Sequence, residues 1–428
     1  MMNILSGKRY TNFLLLIFSA VLIISCTALL TPSAQTQVEQ ARSADSFVDS
    51  IGVNVHLTYT DTAYGKYKSI IRPRLQELGI RHIRDGFVRK RAKYYQRLRE
   101  LADLGIHATL IAGIGWVSPQ QAVEIAHQLD NSIEAVEGPN EYDIGKKRQQ
   151  WIPELRQYME QLHDQVKNDL MTSHLPIVGP SFVARDASTA VGKLTQWVDY
   201  GNMHPYNYPH KPGNDNIDQE ISNRSRPFGE QPLIATEAGY HTGNQESDRP
   251  LTETAHGKYL PRLFLEYFNR GVVRTFAYEF IDQRTKPKDR EANFGILRND
   301  GSPKPAFITL KNMIALLSDP GESFPLKSLD YNLSGNTTDI HHTLLQKRDG
   351  RLYLILWQEV TSFHPKKHSD RRVPEQPITV NINSPVSQAN LYQVSESITP
   401  IKQKNSQHIN LNVPDYPIVL ELLPPLNS

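Results

Sequence analysis

Two glutamates and the residues around them are the part of this sequence that could do chemistry. The first lies in Glu137-Gly138-Pro139-Asn140-Glu141-Tyr142-Asp143, directly after the mostly apolar run at residues 133–136. A Glu beside an Asn at the C-terminal end of a short buried strand suits a proton donor. The Asn can hold a sugar hydroxyl while the acid reaches a glycosidic oxygen. The second, Glu237, is preceded by the buried-type run at residues 233–235. Two carboxylates facing one pocket are the equipment for glycoside cleavage. One protonates the leaving oxygen while the other attacks the anomeric carbon or activates water. An Asn-Glu pair alone is expected about once by chance in a chain of this length. Its meaning therefore depends on what else converges on it.

The elements that must position these residues alternate apolar strands with amphipathic helices, the pattern of a parallel sheet wrapped by helices. Strands are expected near residues 51–57, 80–85, 108–113, 133–137, 176–181, 198–203, 232–237 and 273–281. Helices are expected near 64–78, 88–104, 118–129, 153–170, 252–269 and 305–317. Ser118-Pro119 reads as an N-cap with Pro at the first helical position. Eight such units fit a (β/α)8 barrel over residues 50–319, for which about 250 residues is typical. No sequence repeat is visible. From residue 320 to 428 the helices stop. Strands near 352–357, 378–382, 389–394, 408–413 and 418–422, with a hairpin signal at Arg348-Asp349-Gly350, predict a β-sandwich. Packing against the barrel is the plain reading of that domain; a sugar-binding module is the other.

In a barrel of this kind chemistry sits where strands give way to loops. Arg84, Asn140-Glu141, His204 with Tyr206, and Glu237 all fall at expected strand ends. The chain here resembles a clan A glycoside hydrolase, the large group of retaining enzymes on (β/α)8 barrels. In that clan the acid/base Glu follows an Asn at the end of strand four, matching Asn140-Glu141. The nucleophile ends strand seven, matching Glu237. A His-x-Tyr near the end of strand six matches His204-Pro205-Tyr206, and an Arg ending strand two matches Arg84. Barrel plus sandwich resembles family 39, the β-xylosidase and iduronidase family, and its relatives. The resemblance implies a retaining β-glycosidase with Glu141 as acid/base and Glu237 as nucleophile, and no cofactor. It departs at two places. Tyr278 and Phe280 stand where strand eight usually carries Trp, and residues 113–116 replace a His often found at strand three.

Other residues carry more than one reading. Glu137 shares strand parity with Glu141 and could form an ion pair with Arg84 or compete for the acid role. Glu279 could accept a substrate hydroxyl or be structural. Trp116, Tyr240 and Tyr278 could stack on sugar or pack in the wall. No His/Asp/Glu cluster at metal-ligand spacing stands out. A silent carbohydrate-binding envelope protein, a lyase and a transglycosylase remain as alternatives to a hydrolase.

Charge and cysteine usage bear on partners and location. Of 47 basic residues, Lys8 and Arg9 account for the excess, leaving 45 against 45 acidic. No basic face is implied, and nucleic acid is not an expected partner. Cys26 is the sole cysteine, so there is no intramolecular disulfide. It follows a basic start and an apolar run, and Ile23-Ile24-Ser25-Cys26 resembles the bacterial lipobox. Residues 1–30 are expected to be an export signal with Cys26 lipidated; an uncleaved anchor and plain secretion are the alternatives. Each places the body outside the cytoplasm, with membrane contact through the N-terminal anchor only. Residues 31–49 are expected to form a polar tether.

Overall fold

The computed structural model describes residues 37–213, 216–403 and 407–425. Cys26 and the expected export signal lie outside them.

Eight parallel strands form one sheet. They are β1 (Ile51–Asn54), β2 (His82–Gly86), β3 (His107–Ile111), β4 (Ile133–Glu137), β5 (Ile177–Val178), β6 (Gly201–Met203), β7 (Leu233–Ala238) and β8 (Arg274–Ala277). The order is β5-β4-β3-β2-β1-β8-β7-β6, so β8 returns to pair with β1. A bridge from Val178 to Tyr200, with the Gly179 amide donating to the Tyr200 carbonyl at 2.8 Å, brings the β5 and β6 edges together. The result is the expected (β/α)8 barrel.

Inside the barrel a small apolar plug of Ala135, Val178, Ile234 and Phe276 fills the lower layer. Phe276 fits because β1 carries Gly52, where a Cβ would come within 2.4 Å of the ring. Above the plug the lining turns polar, with Asn54, Arg84, Glu137, Asn202, Thr236 and Glu237 all buried. Charge at that depth is tolerated only when paired and hydrogen-bonded.

The helices follow the expected periodicity, with informative differences in their bounds. Ser118 caps Pro119–Leu129 through a reciprocal box with Gln121. The expected 64–78 helix is broken into a 3₁₀ turn, a π turn and Arg72–Leu78. The helix after β2 starts only at Ala92, which leaves residues 87–91 as a loop at the barrel mouth.

The C-terminal domain is built on two sheets, with a two-stranded ribbon of Phe363–His364 and Ser369–Asp370 beside them. One runs in the order Gln37–Gln40, Ser328–Gly335, Gln376–Ile382, His408–Val413. The other runs Ile401–Gln403, Gln388–Tyr392, Ile418–Leu423, Leu352–Gln358, Ile340–Gln346, Arg42–Ser43. This corrects the expected tether, at least from residue 37 on. Gln37–Gln40 pairs antiparallel along one sheet edge, and Arg42–Ser43 pairs parallel along the other. Ala44–Asp49 is a helix that buries Phe47 and Val48 against the barrel. The segment is too polar to announce itself, because edge strands bury little.

Every residue of Leu352–Gln358 is buried, because its sheet is covered on both faces. Leu354 and Leu356 face the sandwich core, whereas Tyr353, Ile355 and Trp357 join the barrel's hydrophobic cluster. The domain therefore packs on the barrel, as the plainer of the two expectations held.

Candidate active site

The polar end of the barrel opens into a cleft of about 1250 Å³ lined by Arg84, Asn140, Glu141, His204, Tyr206 and Glu237. Residues from β2, β4, β6 and β7 thus meet, as their strand-end positions require.

Arg84 is the hub. Its Nη1 donates to Glu237 Oε1 at 2.6 Å, and its Nε and Nη2 donate to the two oxygens of Glu137 at 2.6 and 2.7 Å. Nη2 also reaches Asn140 Oδ1 at 2.6 Å. Of the two readings of Glu137, the structure selects the ion pair. Fully buried, with Asn202 and Thr236 also donating to its Oε1 at 3.0 Å each, Glu137 does not face the cleft.

Glu237 reaches the cleft because of a bulge. Thr275 is opposite Ala235 and Ala277 is opposite Ala238, so β7 carries one residue more than β8 across this stretch. The extra residue lets neighbouring Thr236 and Glu237 both make contacts inside the barrel, which strict alternation forbids. Tyr206 donates its hydroxyl to Glu237 Oε2 at 2.7 Å. Burial pushes the Glu237 carboxyl up. The charges of a protonated His204 and of Arg84, with the hydrogen bonds from Tyr206 and Arg84, overcome this and bring it down to about 2. Glu237 is therefore an anion at neutral pH.

Glu141 sits at φ 46, in the left-handed region that a residue with a Cβ seldom adopts. Such strain costs on the order of 1–3 kcal/mol and persists where the surroundings hold it. Here the Ser181 hydroxyl accepts from the Glu141 amide at 3.1 Å, and His204 Nδ1 lies 2.8 Å from Glu141 Oε1. The other ring nitrogen, His204 Nε2, is 3.0 Å from Thr236 Oγ1. That hydroxyl has acceptors for its own hydrogen in Glu137 and in Asn202 Oδ1 at 2.8 Å. It therefore accepts from His204 Nε2–H, an assignment made from the network. Nδ1 then faces the Glu141 carboxyl, and one proton between the two groups makes that contact a hydrogen bond. The Glu141–His204 pair is built to hold one proton.

The ligand atoms of Glu141, His204 and Glu237 lie within 4.8 Å of one another, so a carboxylate oxygen of each Glu is that close across the cleft. Among the described residues these three could also converge on a cation, a grouping that sequence spacing did not suggest. The bonds from Arg84, Tyr206 and Thr236 already satisfy their inner atoms without one.

The remaining expected residues divide. Trp116 is 55% exposed on the cleft rim, its ring folded over Gly113, where a Cβ would come within 2.6 Å. Tyr278 lines the cleft and meets His56 and Phe294 edge-on. Two expectations are corrected. Tyr240 is fully buried and packs on Tyr259 and His256, away from the cleft, so it cannot stack on sugar. The turn at Gly239, φ 152, carries the chain off the barrel mouth immediately after β7. Glu279 is also fully buried and does not line the cleft. Tyr64 donates to it at 2.9 Å and Gln283 at 3.0 Å, and it lies 3.4 Å behind His56. Burial raises its carboxyl well above the ordinary range, against the lowering effect of those two hydrogen bonds.

Sequence reasoning missed His56, Thr236, Asn202 and Ser181. His56 follows β1 with the same parity as Asn54, and the parity rule that linked Glu137 to Glu141 would have found it. Thr236 carried no such signal, because the bulge that aims it is set by the pairing of β7 with β8.

No protein-family model matches this chain, and no curated protein matches it. Solved structures do. A family 39 glycoside hydrolase from the gut symbiont Bacteroides cellulosilyticus superimposes with a TM-score of 0.60 at 16% identity, covering 89% of this chain and 81% of that one. A family 51 α-L-arabinofuranosidase from Bifidobacterium longum gives 0.60 at 11% identity, covering 91% and 98%. A glucosidase from Croceicoccus marinus gives 0.59 at 9% identity, covering 91% and 99%. The chain shares the barrel-and-sandwich fold of these glycoside hydrolases.

Proposed function

We propose that this chain is a retaining glycosidase that cleaves O-glycosidic bonds by double displacement, with Glu237 as nucleophile and Glu141 as acid and base. The observation that supports it most is the approach of Glu141 and Glu237 to within 4.8 Å across one cleft. Retaining enzymes hold their carboxyl groups about 5–5.5 Å apart, whereas inverting enzymes leave about 6.5–9.5 Å for a water.

In the first step a Glu237 oxygen attacks the anomeric carbon as the bond to the leaving oxygen breaks. Glu141 gives its proton to that oxygen, and the sugar is left esterified to Glu237. Arg84 and Tyr206 hold Glu237 ionised and aimed until attack. His204 fixes the Glu141 carboxyl through Nδ1, and Thr236 fixes His204. In the second step Glu141, now a carboxylate, takes a proton from water. The resulting hydroxide attacks the anomeric carbon, the ester bond breaks, and Glu237 returns as an anion. The proton restores the Glu141–His204 pair.

The test is azide rescue on an activated aryl β-glycoside chosen from a panel. Glu141→Ala should still form the covalent intermediate, since an activated phenol leaves without proton help, and the intermediate should accumulate. Azide needs no base and should restore turnover with retained configuration. Glu237→Ala should lose turnover, and any azide product should have the opposite anomeric configuration. A folded Glu141→Ala protein that azide does not rescue, or a retained product from Glu237→Ala, overturns the assignment.

A further inference from the structure

The cleft carries more positive charge than its chemistry uses. Arg84 is committed to Glu137 and Glu237, Arg224 pairs with Glu220 at 2.9 Å, and Arg290 pairs with Glu291 at 2.9 Å. Of the two other acids in the lining, Glu141 pairs with His204 at 2.8 Å, and Asp85 accepts from the backbone amides of Leu57 and Gly86 at 2.9 and 2.8 Å. That leaves Arg89, Lys90, Arg91 and Arg185, which line the cleft, are exposed, and make no salt bridge among the described residues. The excess is local, since the chain as a whole carries nearly equal numbers of basic and acidic residues.

Their placement is not scattered. Arg89, Lys90 and Arg91 form the loop after β2, and Arg185 lies in the loop after β5. Between these loops, in barrel order, stand those after β3 and β4, which present exposed Trp116 and Ile144. Glu141 belongs to the same sector. The group leaving with its proton must lie against that side of the cleft. An aromatic platform flanked by unpaired cations there suits a chain of sugars whose rings stack and whose substituents are negatively charged.

We infer that the cleft takes an anionic polysaccharide, with Arg89, Lys90, Arg91 and Arg185 meeting carboxylate, sulfate or phosphate groups on the sugars leaving from Glu141. The inference rests on the glycosidase reading for its orientation and adds the substrate class.

The test uses the full chain with Glu237→Gln, so that polymers bind without being cut. Affinities are measured by calorimetry for polygalacturonate, for carrageenan, and for neutral laminarin and xylan, at low and high salt. At least one charged polymer should bind about tenfold or more tighter than the neutral ones, with the advantage fading at high salt. Combining Arg89→Ser, Lys90→Ser, Arg91→Ser and Arg185→Ser should abolish it. Preference for polygalacturonate identifies carboxylate recognition, and preference for carrageenan identifies sulfate. Neutral polymers bound equally well, no polymer bound, or a charge preference that survives the four substitutions overturns the inference. Should the fourfold variant melt early, the loop triple and Arg185→Ser carry the test separately. A wild-type protein inert on every aryl glycoside, but with rim-dependent binding of a charged polymer, would sink the glycosidase reading and leave this one standing.

Discussion

Glu237 illustrates how single side chains set the chemistry. Burial alone would protonate it, and charges and hydrogen bonds aimed from β2 and β6 reverse the outcome, to about 2. The pKa in the folded protein lies below the ordinary value of 4.5, so the charged form contributes stability above the ordinary value. That contribution is lost as pH falls toward the folded value. Tyr206→Phe removes one hydrogen bond to the anion, and with it one of the effects lowering the pKa. Hydrogen bonds to charged groups are worth about 1.5–3 kcal/mol, which corresponds to about one to two pH units. The acid limb of kcat/KM should therefore move to higher pH by about that amount. A superimposable acid limb in the two proteins would show that Tyr206 does not act on Glu237 in this way.

At the scale of elements, the site depends on irregularities as much as on regular strands. The bulge in β7 aims Thr236 and Glu237 together, and the late start of the helix after β2 frees the loop that carries Arg89, Lys90 and Arg91. The N-terminal segment is an element too. Gln37–Gln40 completes one sandwich sheet, where Glu39 accepts from the Tyr331 hydroxyl and lies 2.9 Å from His342 Nε2. A chain beginning at residue 44 should lose both edge strands. At about 1 kcal/mol per hydrogen bond lost, its stability to urea should fall by a few kcal/mol relative to a chain beginning at residue 37. Equal unfolding midpoints for the two chains would mean that the segment behaves as the tether its composition suggested.

At the scale of the whole molecule, barrel and sandwich are joined by a buried ionic seam. The side chains of Arg262 and Glu359 are both fully buried, with nitrogen and oxygen 2.6 Å apart. Glu359 also accepts from Trp357 Nε1 at 3.0 Å and from the Gly213 amide at 2.9 Å. Arg262 further donates to the Val360 carbonyl at 3.0 Å. Removing one partner from such a pair leaves an uncompensated buried charge and costs about 3–5 kcal/mol, whereas replacing both with apolar groups costs much less. Glu359→Leu should therefore destabilise the full chain strongly, and adding Arg262→Met should recover part of the loss. The check is a double-mutant cycle by chemical denaturation. Purely additive losses would show that the two side chains do not depend on each other.

The sequence by itself determined the eight barrel strands and six of the helices that follow them, the change to β structure near residue 320 and the strand ends bearing Arg84, Asn140-Glu141, His204, Tyr206 and Glu237. Hydrophobic periodicity and turn chemistry are local, and a closed barrel gathers one end of every strand at one mouth. The tertiary structure alone decided the rest. Glu279 and Tyr240 look like Glu237 and Trp116 in composition, yet lie behind the cleft wall, because orientation after a strand end depends on how the neighbouring strands and turns pack. Thr236 became the support of His204 and Glu137 through a register shift that exists only once β7 and β8 pair. Residues 37–43 became edge strands for the same reason: their partners lie nearly 300 residues away in sequence. No local pattern encodes a pairing at that distance.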